Sequence, residues 1–471
     1  MRLSDIADID SDSEVTGFAI DHRKVARGTV FGAFKGAVFN GEDFIADAVD
    51  RGAIGVVARP QARVDRVPHL ADVEPRRLFA ELAANFYAPY PETVVAVTGT
   101  NGKTSTVEMT RQIWRMSGHR SASIGTLGVT TSDDQVKTGL TTPDIVTFLN
   151  NMAGLKRMGV THVAYEASSH GLDQHRAEGV PLAAAAFTNF SRDHLDYHGT
   201  MDAYFEAKML LFERRLPSGK PVVIWTDDPK SEEVMERARR AGHDPLTVGR
   251  KGQTIRLAEQ TPTALGQTLM LEHGGKTHRL ALPLIGAYQA ANVLTAAGLV
   301  LATGGEWAGT FGAMQRVAPV RGRLERAVIS RTGVPVYIDY AHTPDALEAA
   351  IGALRPHVER RLITVFGAGG DRDEGKRPEM GAVASRLSDV VIVTDDNPRG
   401  EDPATIRSAI LTGASQATEV PGRREAIGEA IRLARSGDIV LVAGKGHETG
   451  QIIGDRVLPF DDALVARECA A

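Results

Sequence analysis

Short runs of β-branched and other apolar residues alternate along this chain with polar turns and with stretches whose apolar positions fall three and four apart. Near the N-terminus, 30–34 and 54–58 predict strands, with a helix at 44–51 between them. Pro68, Pro75, Pro89 and Pro91 punctuate the end of this small segment, which sets a boundary near 87–91. Strands are then expected at 94–97, 121–124, 161–165, 183–187 and 222–225, and helices at 106–116, 143–158, 204–212 and 231–241. In 143–158, Ile145, Phe148, Leu149, Met152 and Leu155 share one helical face. Such alternation implies a largely parallel sheet covered by helices on both faces. Residues 254–282 change to a period of two, an antiparallel excursion, and 287–302 form a helix rich in alanine and leucine. Beyond a boundary near 317–320, strands at 334–338, 362–366, 390–394 and 439–442 alternate with helices at 344–354, 378–387, 403–411 and 426–434. This is the pattern of a second, doubly wound sheet.

One strand stands out. Val94 to Val97 runs into Gly99-Thr100-Asn101-Gly102-Lys103-Thr104-Ser105, and a helix follows. Glycines let backbone N–H groups close on phosphate oxygens, and the helix N-terminus adds partial positive charge. Lys103 can reach the terminal phosphates and the Thr104 hydroxyl can ligate Mg²⁺. The full eight-residue pattern would place glycine where Val97 stands, so the loop is the shorter Gly-Thr-Asn-Gly-Lys-Thr form of an ATP site. The fold class is therefore α/β, with a small N-terminal α/β domain (1–88), a central P-loop ATPase-like parallel sheet (89–318) and a C-terminal Rossmann-like doubly wound sheet (319–471).

Composition narrows the class. The 471 residues exceed what one core organises. A net charge of −5 without a basic stripe, and sparse aromatics, argue against a nucleic-acid partner. Cys469 is the only cysteine, so no intrachain disulfide or cysteine metal cage can form, which fits a reducing compartment. Residues 1–12 are acidic and lack an apolar core, and no apolar run is long enough to span a bilayer. A cytoplasmic protein without membrane insertion is expected.

Polar clusters follow the expected strands, where doubly wound sheets bind ligands. Glu166, Ser168 and His170 come after 161–165, and Thr188 to His198, including Asp193 and His194, after 183–187. Glu166 and His194 would gather at the sheet edge with Lys103 and Thr104, as ligands of Mg²⁺ or Mn²⁺; His194 could equally cap or pack. Lys208, within 204–212, reads by itself as a solvated helix lysine. In the last third, Asp339 to His342, Gly367 to Arg377, Asp395 to Arg399 and Gly444 to Glu448 each end a strand. That edge suits a small zwitterion, with carboxylates on Arg377 and Arg399 and an ammonium on Asp396 or Glu448.

These residues carry a resemblance. Gly-Thr-Asn-Gly-Lys-Thr, Glu166 to Leu172, Ser191 to Gly199 and Asp396-Asn397-Pro398-Arg399 make nearly the whole chain similar to the Mur ligases of bacterial cell-wall synthesis. The resemblance implies three domains that bind a UDP-sugar, ATP and an incoming amino acid, in that order. It places Lys103, Glu166, His194 and Lys208 in catalysis, with Lys208 carbamylated and ligating Mg²⁺ beside Thr104, Glu166 and His194. It assigns ATP to Gly99, Thr100, Asn101, Gly102, Lys103, Thr104, Ser105, Asn292, Arg323 and Asp339. UDP-N-acetylmuramoyl-L-alanyl-D-glutamate would meet His22, Thr141, Thr142, Ser168, Gln174 and Arg176. The amino acid would meet Arg377, Asp396, Asn397, Pro398, Arg399, Gly444 and Glu448. The first domain departs from the family pattern: Asp21-His22-Arg23 stands where many relatives have Asp-Ser-Arg, and the loop 36–41 lacks a histidine that some place on the nucleotide.

Arginine at 399 resembles the members that add meso-diaminopimelate. A guanidinium built to grip a distal carboxylate is left desolvated and unpaired by lysine, a mismatch that can reject the analogue by roughly 10⁴-fold. The expected activity is ATP-driven amide formation through an acyl phosphate, in peptidoglycan precursor synthesis, by a monomer. The rivals are a lysine-adding sibling, folylpolyglutamate synthase, and a nucleotide-dependent switch or scaffold without ligase activity. Because water would destroy an acyl phosphate, the third domain is expected to close over the other two after ATP binds. Small-angle scattering should show compaction when all ligands are present.

Overall fold

The computed structural model describes residues 1–36 and 39–471; Ala37 and Val38, in the loop lacking the family histidine, lie outside the described residues. The chain divides into two compact units, one of Met1–Arg256 with Asn292–Ala313, the other of Leu257–Ala291 with Met314–Ala471.

The first unit begins with a four-stranded parallel sheet, in the order Gly17–Ala19, Thr29–Gly32, Ala53–Ala58, His69–Ala71. The helix Ile45–Asp50 lies where the periodicity predicts it. Pro75 behaves differently from a simple breaker. It occupies the first turn of a helix, Pro75–Tyr87, where its missing N–H costs nothing and its fixed φ suits the helix. That helix delivers Phe79, fully buried, edge-on to Phe18 at 5.3 Å and Phe34 at 5.4 Å between ring centroids. The apolar cluster runs on without a break from Leu3 and Phe79 to Val94, Phe148 and Phe187, so the small sheet and the larger one share a core.

The larger sheet places the strands Pro245–Gly249, Val222–Trp225, Ala184–Phe187, Thr93–Thr98, His162–Glu166 and Ser121–Gly125 side by side, all parallel. Val94 to Val97 are wholly buried, as a central strand covered on both faces requires. From Thr93–Thr98 the chain goes out to Ser121–Gly125, returns to His162–Glu166, then crosses to Ala184–Phe187 on the other side. The strand order therefore reverses at Thr93–Thr98, and the crevice beyond its carboxyl end is where such sheets bind ligands. Two short antiparallel strands, Gly128–Thr130 and Gln135–Val136, extend one edge.

The second unit holds a six-stranded sheet in the order Glu325–Ile329, Pro335–Asp339, Ile439–Ala443, Leu362–Phe366, Val390–Val393, Thr418–Glu419. All its neighbours are parallel except the first pair. The helices Pro344–Leu354 and Pro403–Leu411 match the sequence expectation. The antiparallel excursion is present as Gly266–His273 paired with Lys276–Leu282. A hairpin, Gly450–Ile453 with Arg456–Pro459, and a last helix, Asp462–Ala470, were not anticipated. The hairpin buries neither face fully, so it leaves no alternation to read. Among the described residues, no helix is long and apolar enough to cross a membrane.

Phe79→Ala should cost about 3–5 kcal/mol, because it opens a cavity where the two sheets share their core. Urea unfolding of the full chain measures it.

Candidate active site

The phosphate loop sits at the reversal of strand order. The helix Lys103–Met116 starts directly after it, with Gly102 as N-cap at φ 84°. A Cβ at Gly102 would run into the Asn292 side-chain oxygen, so glycine alone lets that amide approach the loop. The loop is fastened to the chain leaving Ala184–Phe187. Thr100 N–H donates to the Asn189 carbonyl at 2.9 Å, and Asn101 N–H to Asn189 Oδ1 at 2.8 Å. The Thr188 hydroxyl donates to the Asn101 carbonyl at 2.6 Å, and Ser191 N–H to Thr100 Oγ1 at 3.0 Å. Lys103 folds back over the loop, its Nζ donating to the carbonyls of Gly99 (2.9 Å) and Thr100 (2.7 Å). Thr104 and Ser105 are buried in the first helical turn.

Lys208 is not solvated. It is 1% exposed, and its Nζ donates to the Gly99 carbonyl at 2.7 Å and lies 4.2 Å above the Tyr204 ring. Burial, then the positive charge of Lys103, push its pKa well below the usual lysine value, against a smaller pull from Asp193. Tyr204, Phe205, Ala207 and Met209 are buried beside it in Met201–Leu210. Asp202 and Glu206 of the same helix are exposed, and periodicity alone does not set a third charged residue apart from them.

Glu166 ends the strand His162–Glu166, opposite Val97 in the parallel register. Its buried carboxylate accepts Thr126 N–H at 2.7 Å on one oxygen and the Thr126 hydroxyl at 3.3 Å on the other. A Cβ on Gly125 would stand 2.7 Å from both Cγ and Cδ of Glu166, so that glycine makes room for the carboxylate. His194 has φ 52° and opens the short helix Leu195–His198. Its ring lies edge-on to His170 at 4.9 Å and to Tyr204 at 5.8 Å, with Nε2 3.5 Å from Asp193. Among the described residues, no three His, Cys, Asp or Glu side chains converge as a metal cage. Magnesium beside phosphates needs no such cage, since it takes most of its oxygens from phosphate and water. The Glu166 carboxylate and the Thr104 hydroxyl are donors of the right hardness.

Four of the expected substrate residues form one network. The Thr142 hydroxyl bonds the Glu166 carbonyl at 2.7 Å and Ser168 Oγ at 2.9 Å. Arg176 donates to the Thr142 carbonyl at 3.1 Å and to Gln174 Oε1 at 2.8 Å. Thr141 joins through Thr126, hydroxyl to hydroxyl at 3.1 Å. His22 shares none of these bonds; it lies flat on Phe44, centroids 4.3 Å apart, in the small sheet. A cavity of about 100 Å³ is lined by Ile20, Phe34, Arg76, Asp144, Gln174 and Arg176, among others. Arg76 escaped the sequence reading because Pro75-Arg76-Arg77 looks like a solvated turn. Its guanidinium lies 4.8 Å over the Phe34 ring, and burial lowers its pKa, as burial does for Arg176.

In the second unit, Asp339 ends Pro335–Asp339, and its carboxylate accepts the N–H groups of Leu324 (2.7 Å) and Ala341 (2.9 Å) while burial raises its pKa. Arg323 lies 4.8 Å over the Tyr340 ring, with Nε buried and without a hydrogen-bond partner. After Val390–Val393, Arg399 takes φ 52°. Its N–H donates to the Ile452 carbonyl (3.0 Å), its carbonyl accepts Gly454 N–H (2.7 Å), and one guanidinium nitrogen donates to the Gly370 carbonyl (2.8 Å). The hairpin thus straps Arg399 in place. Asp396 is buried beside Gly444; Oδ1 accepts Asn397 N–H at 2.7 Å, whereas Oδ2 has no hydrogen-bond partner and lies 3.8 Å from Arg423. The Asn397 amide donates to Glu448 at 2.8 Å, and the Pro398 carbonyl accepts Glu401 N–H. Arg377 is almost wholly buried and bonds Glu401 at 2.8 Å and the Gly369 carbonyl at 3.4 Å.

Known proteins resemble this chain along most of its length. Residues 97–300 match the Mur ligase middle domain and 322–446 the Mur ligase glutamate ligase domain. The chain is 56% identical to UDP-N-acetylmuramoyl-L-alanyl-D-glutamate--2,6-diaminopimelate ligase of Zymomonas mobilis, over 98% of this chain and 95% of that one. It is 48% identical to the ligase of the same name from Caulobacter vibrioides, over 98% and 97%. A solved structure of a UDP-N-acetylmuramoyl-L-alanyl-D-glutamate--2,6-diaminopimelate ligase superposes with a TM-score of 0.76 at 32% identity, covering 100% of this chain and 98% of that one. With relatives this similar along its whole length, the chain belongs to the Mur ligase family.

Proposed function

We propose that this chain is the ATP-dependent ligase that joins meso-diaminopimelate to UDP-N-acetylmuramoyl-L-alanyl-D-glutamate in peptidoglycan precursor synthesis, as a cytoplasmic monomer. Residues 1–88, 89–318 and 319–471 then take the UDP-sugar, ATP and the amino acid respectively. The observation that carries the reading is the turn from Asp396 to Arg399. The buried Asp396 Oδ2, near Arg423 but without a hydrogen bond, suits an ammonium, and the Arg399 guanidinium, held at the Gly370 carbonyl, suits a carboxylate. That is the polarity of a diamino diacid.

In this reading the D-glutamate side-chain carboxylate attacks the γ-phosphorus of ATP, the bond from that phosphorus to ADP breaks, and an acyl phosphate forms. The amine of diaminopimelate then adds to the acyl carbon, and the tetrahedral intermediate collapses to amide and inorganic phosphate. The loop from Gly99 to Ser105 holds the phosphates on backbone N–H groups, and Lys103 turns from its two carbonyls toward them. Magnesium, when bound, neutralises phosphate charge; Thr104, Glu166 and His194 would hold it with a carbamate on Lys208. Carbamate formation needs a neutral amine: the Lys208 nitrogen bonds the carbon of CO₂ and releases one proton. Burial and the charge of Lys103 lower the Lys208 pKa, which favours that neutral form. Asn292, Arg323 and Asp339 serve the nucleotide, and His22, Thr141, Thr142, Ser168, Gln174 and Arg176 the UDP-substrate. Arg377, Asn397, Pro398, Gly444 and Glu448 complete the amino-acid site.

The mass of the product formed from the UDP-dipeptide, MgATP and a mixture of diaminopimelate and lysine tests the reading. The diaminopimelate adduct should dominate, and a lysine adduct would refute the acceptor. Arg399→Met should lower kcat/KM for diaminopimelate by roughly 10³-fold with KM for ATP unchanged. With ¹³C-bicarbonate, the wild type should show a carbamate carbon resonance that Lys208→Gln lacks. The resonance should persist above the depressed Lys208 pKa and fade as pH falls through it, because protonation removes the nucleophile.

A further inference from the structure

Lys445 is fully buried, yet no step of the ligation uses it. It follows the strand Ile439–Ala443 and Gly444, and its Nζ donates to Asn397 Oδ1 at 2.9 Å and to Glu448 Oε2 at 3.1 Å. The Asn397 amide donates to the same Glu448 oxygen at 2.8 Å, and its Oδ1 also accepts Ile452 N–H at 3.0 Å. These bonds close a triangle. They fix the Asn397 amide, because a flipped amide would point its NH₂ at an ammonium and a backbone N–H. They also occupy Glu448 Oε2 twice, which leaves Oε1 to meet a ligand from a side chain that is 33% exposed. An exposed lysine three residues from a glutamate would order little. A wholly desolvated one with two bonds has no other place to go.

We propose that Lys445 is a positioning residue for the acceptor amino acid, which aims one Glu448 oxygen at an ammonium of a diamino acid and holds Asn397 in the matching orientation. The inference rests on the acceptor site described under the proposed function. Lys445 does not touch the substrate; it acts through Asn397 and Glu448.

Steady-state kinetics of the full chain test it, with Lys445→Met, Glu448→Gln and the double variant. Lys445→Met should raise KM for diaminopimelate about tenfold, with kcat within about twofold and KM for ATP and the UDP-dipeptide unchanged. The double variant should lose less than the sum of the two single losses, since both changes act on Glu448 and only the Asn397 arm is separate. An unchanged KM for diaminopimelate, equal losses for all three substrates, or additive effects in the double variant would each overturn the proposal. If Lys445→Met does not fold, Lys445→Gln, which keeps a donor for Asn397 without the charge, takes its place in the same comparison. A wild type that releases no phosphate in response to diaminopimelate would remove the acceptor site itself, and this role with it. A responsive wild type with an indifferent Lys445 variant would remove the role alone.

Discussion

Two lysines donate to one carbonyl oxygen, that of Gly99, and the chemistry of the first unit is arranged around that convergence. Lys103 stands at the surface of the loop and Lys208 beneath it. Burial first, and then the charge of Lys103, make Lys208 hold its proton less tightly. One residue type thus stands here in two settings, one half-buried over the loop and one buried with a lowered pKa. The difference is burial, not sequence.

The loop can carry that load because it does not stand alone. Thr188 and Asn189, leaving the next strand over, hold it by backbone and side chain, and Asn292 fills the space that Gly102 leaves open. Each of these is a short polar side chain at the end of a parallel strand or in the first turns of a helix, where unsatisfied backbone groups collect. Binding groups and fastenings are the same kinds of residue in the same places. In the second unit Arg423 is wholly buried against Asp462 and lies 3.8 Å from Asp396 Oδ2, which has no hydrogen-bond partner.

Much of this was legible along the chain. The glycine loop, the alternation of strand and helix, and the polar cluster after each strand are local patterns, so Lys103, Glu166 and Asp396 could be placed at sheet edges before any coordinates. What escaped is what depends on packing from outside the element. Lys208 reads as solvated because its helix also carries the exposed charges Asp202 and Glu206, and what buries it comes from other elements. Pro75 reads as a stop because its role at a helix start depends on the apolar run after it. Arg76 and Lys445 acquire meaning only from Phe34, Arg176, Asn397 and Glu448, residues distant in the chain. The hairpin that straps Arg399 has no buried face, so alternation never marks it.

The continuous core from Leu3 through Phe79 to Phe187 has a consequence for substrate choice. Packed side chains do not stretch, so the span from the cavity at Arg76 and Arg176 to the carboxylate of Glu166 is set by covalent geometry and close packing. The first unit is in effect a caliper. Under the proposed function, a donor one residue too long or too short would seat its nucleotide end and still miss the phosphorus, or reach the phosphorus and lose its hold.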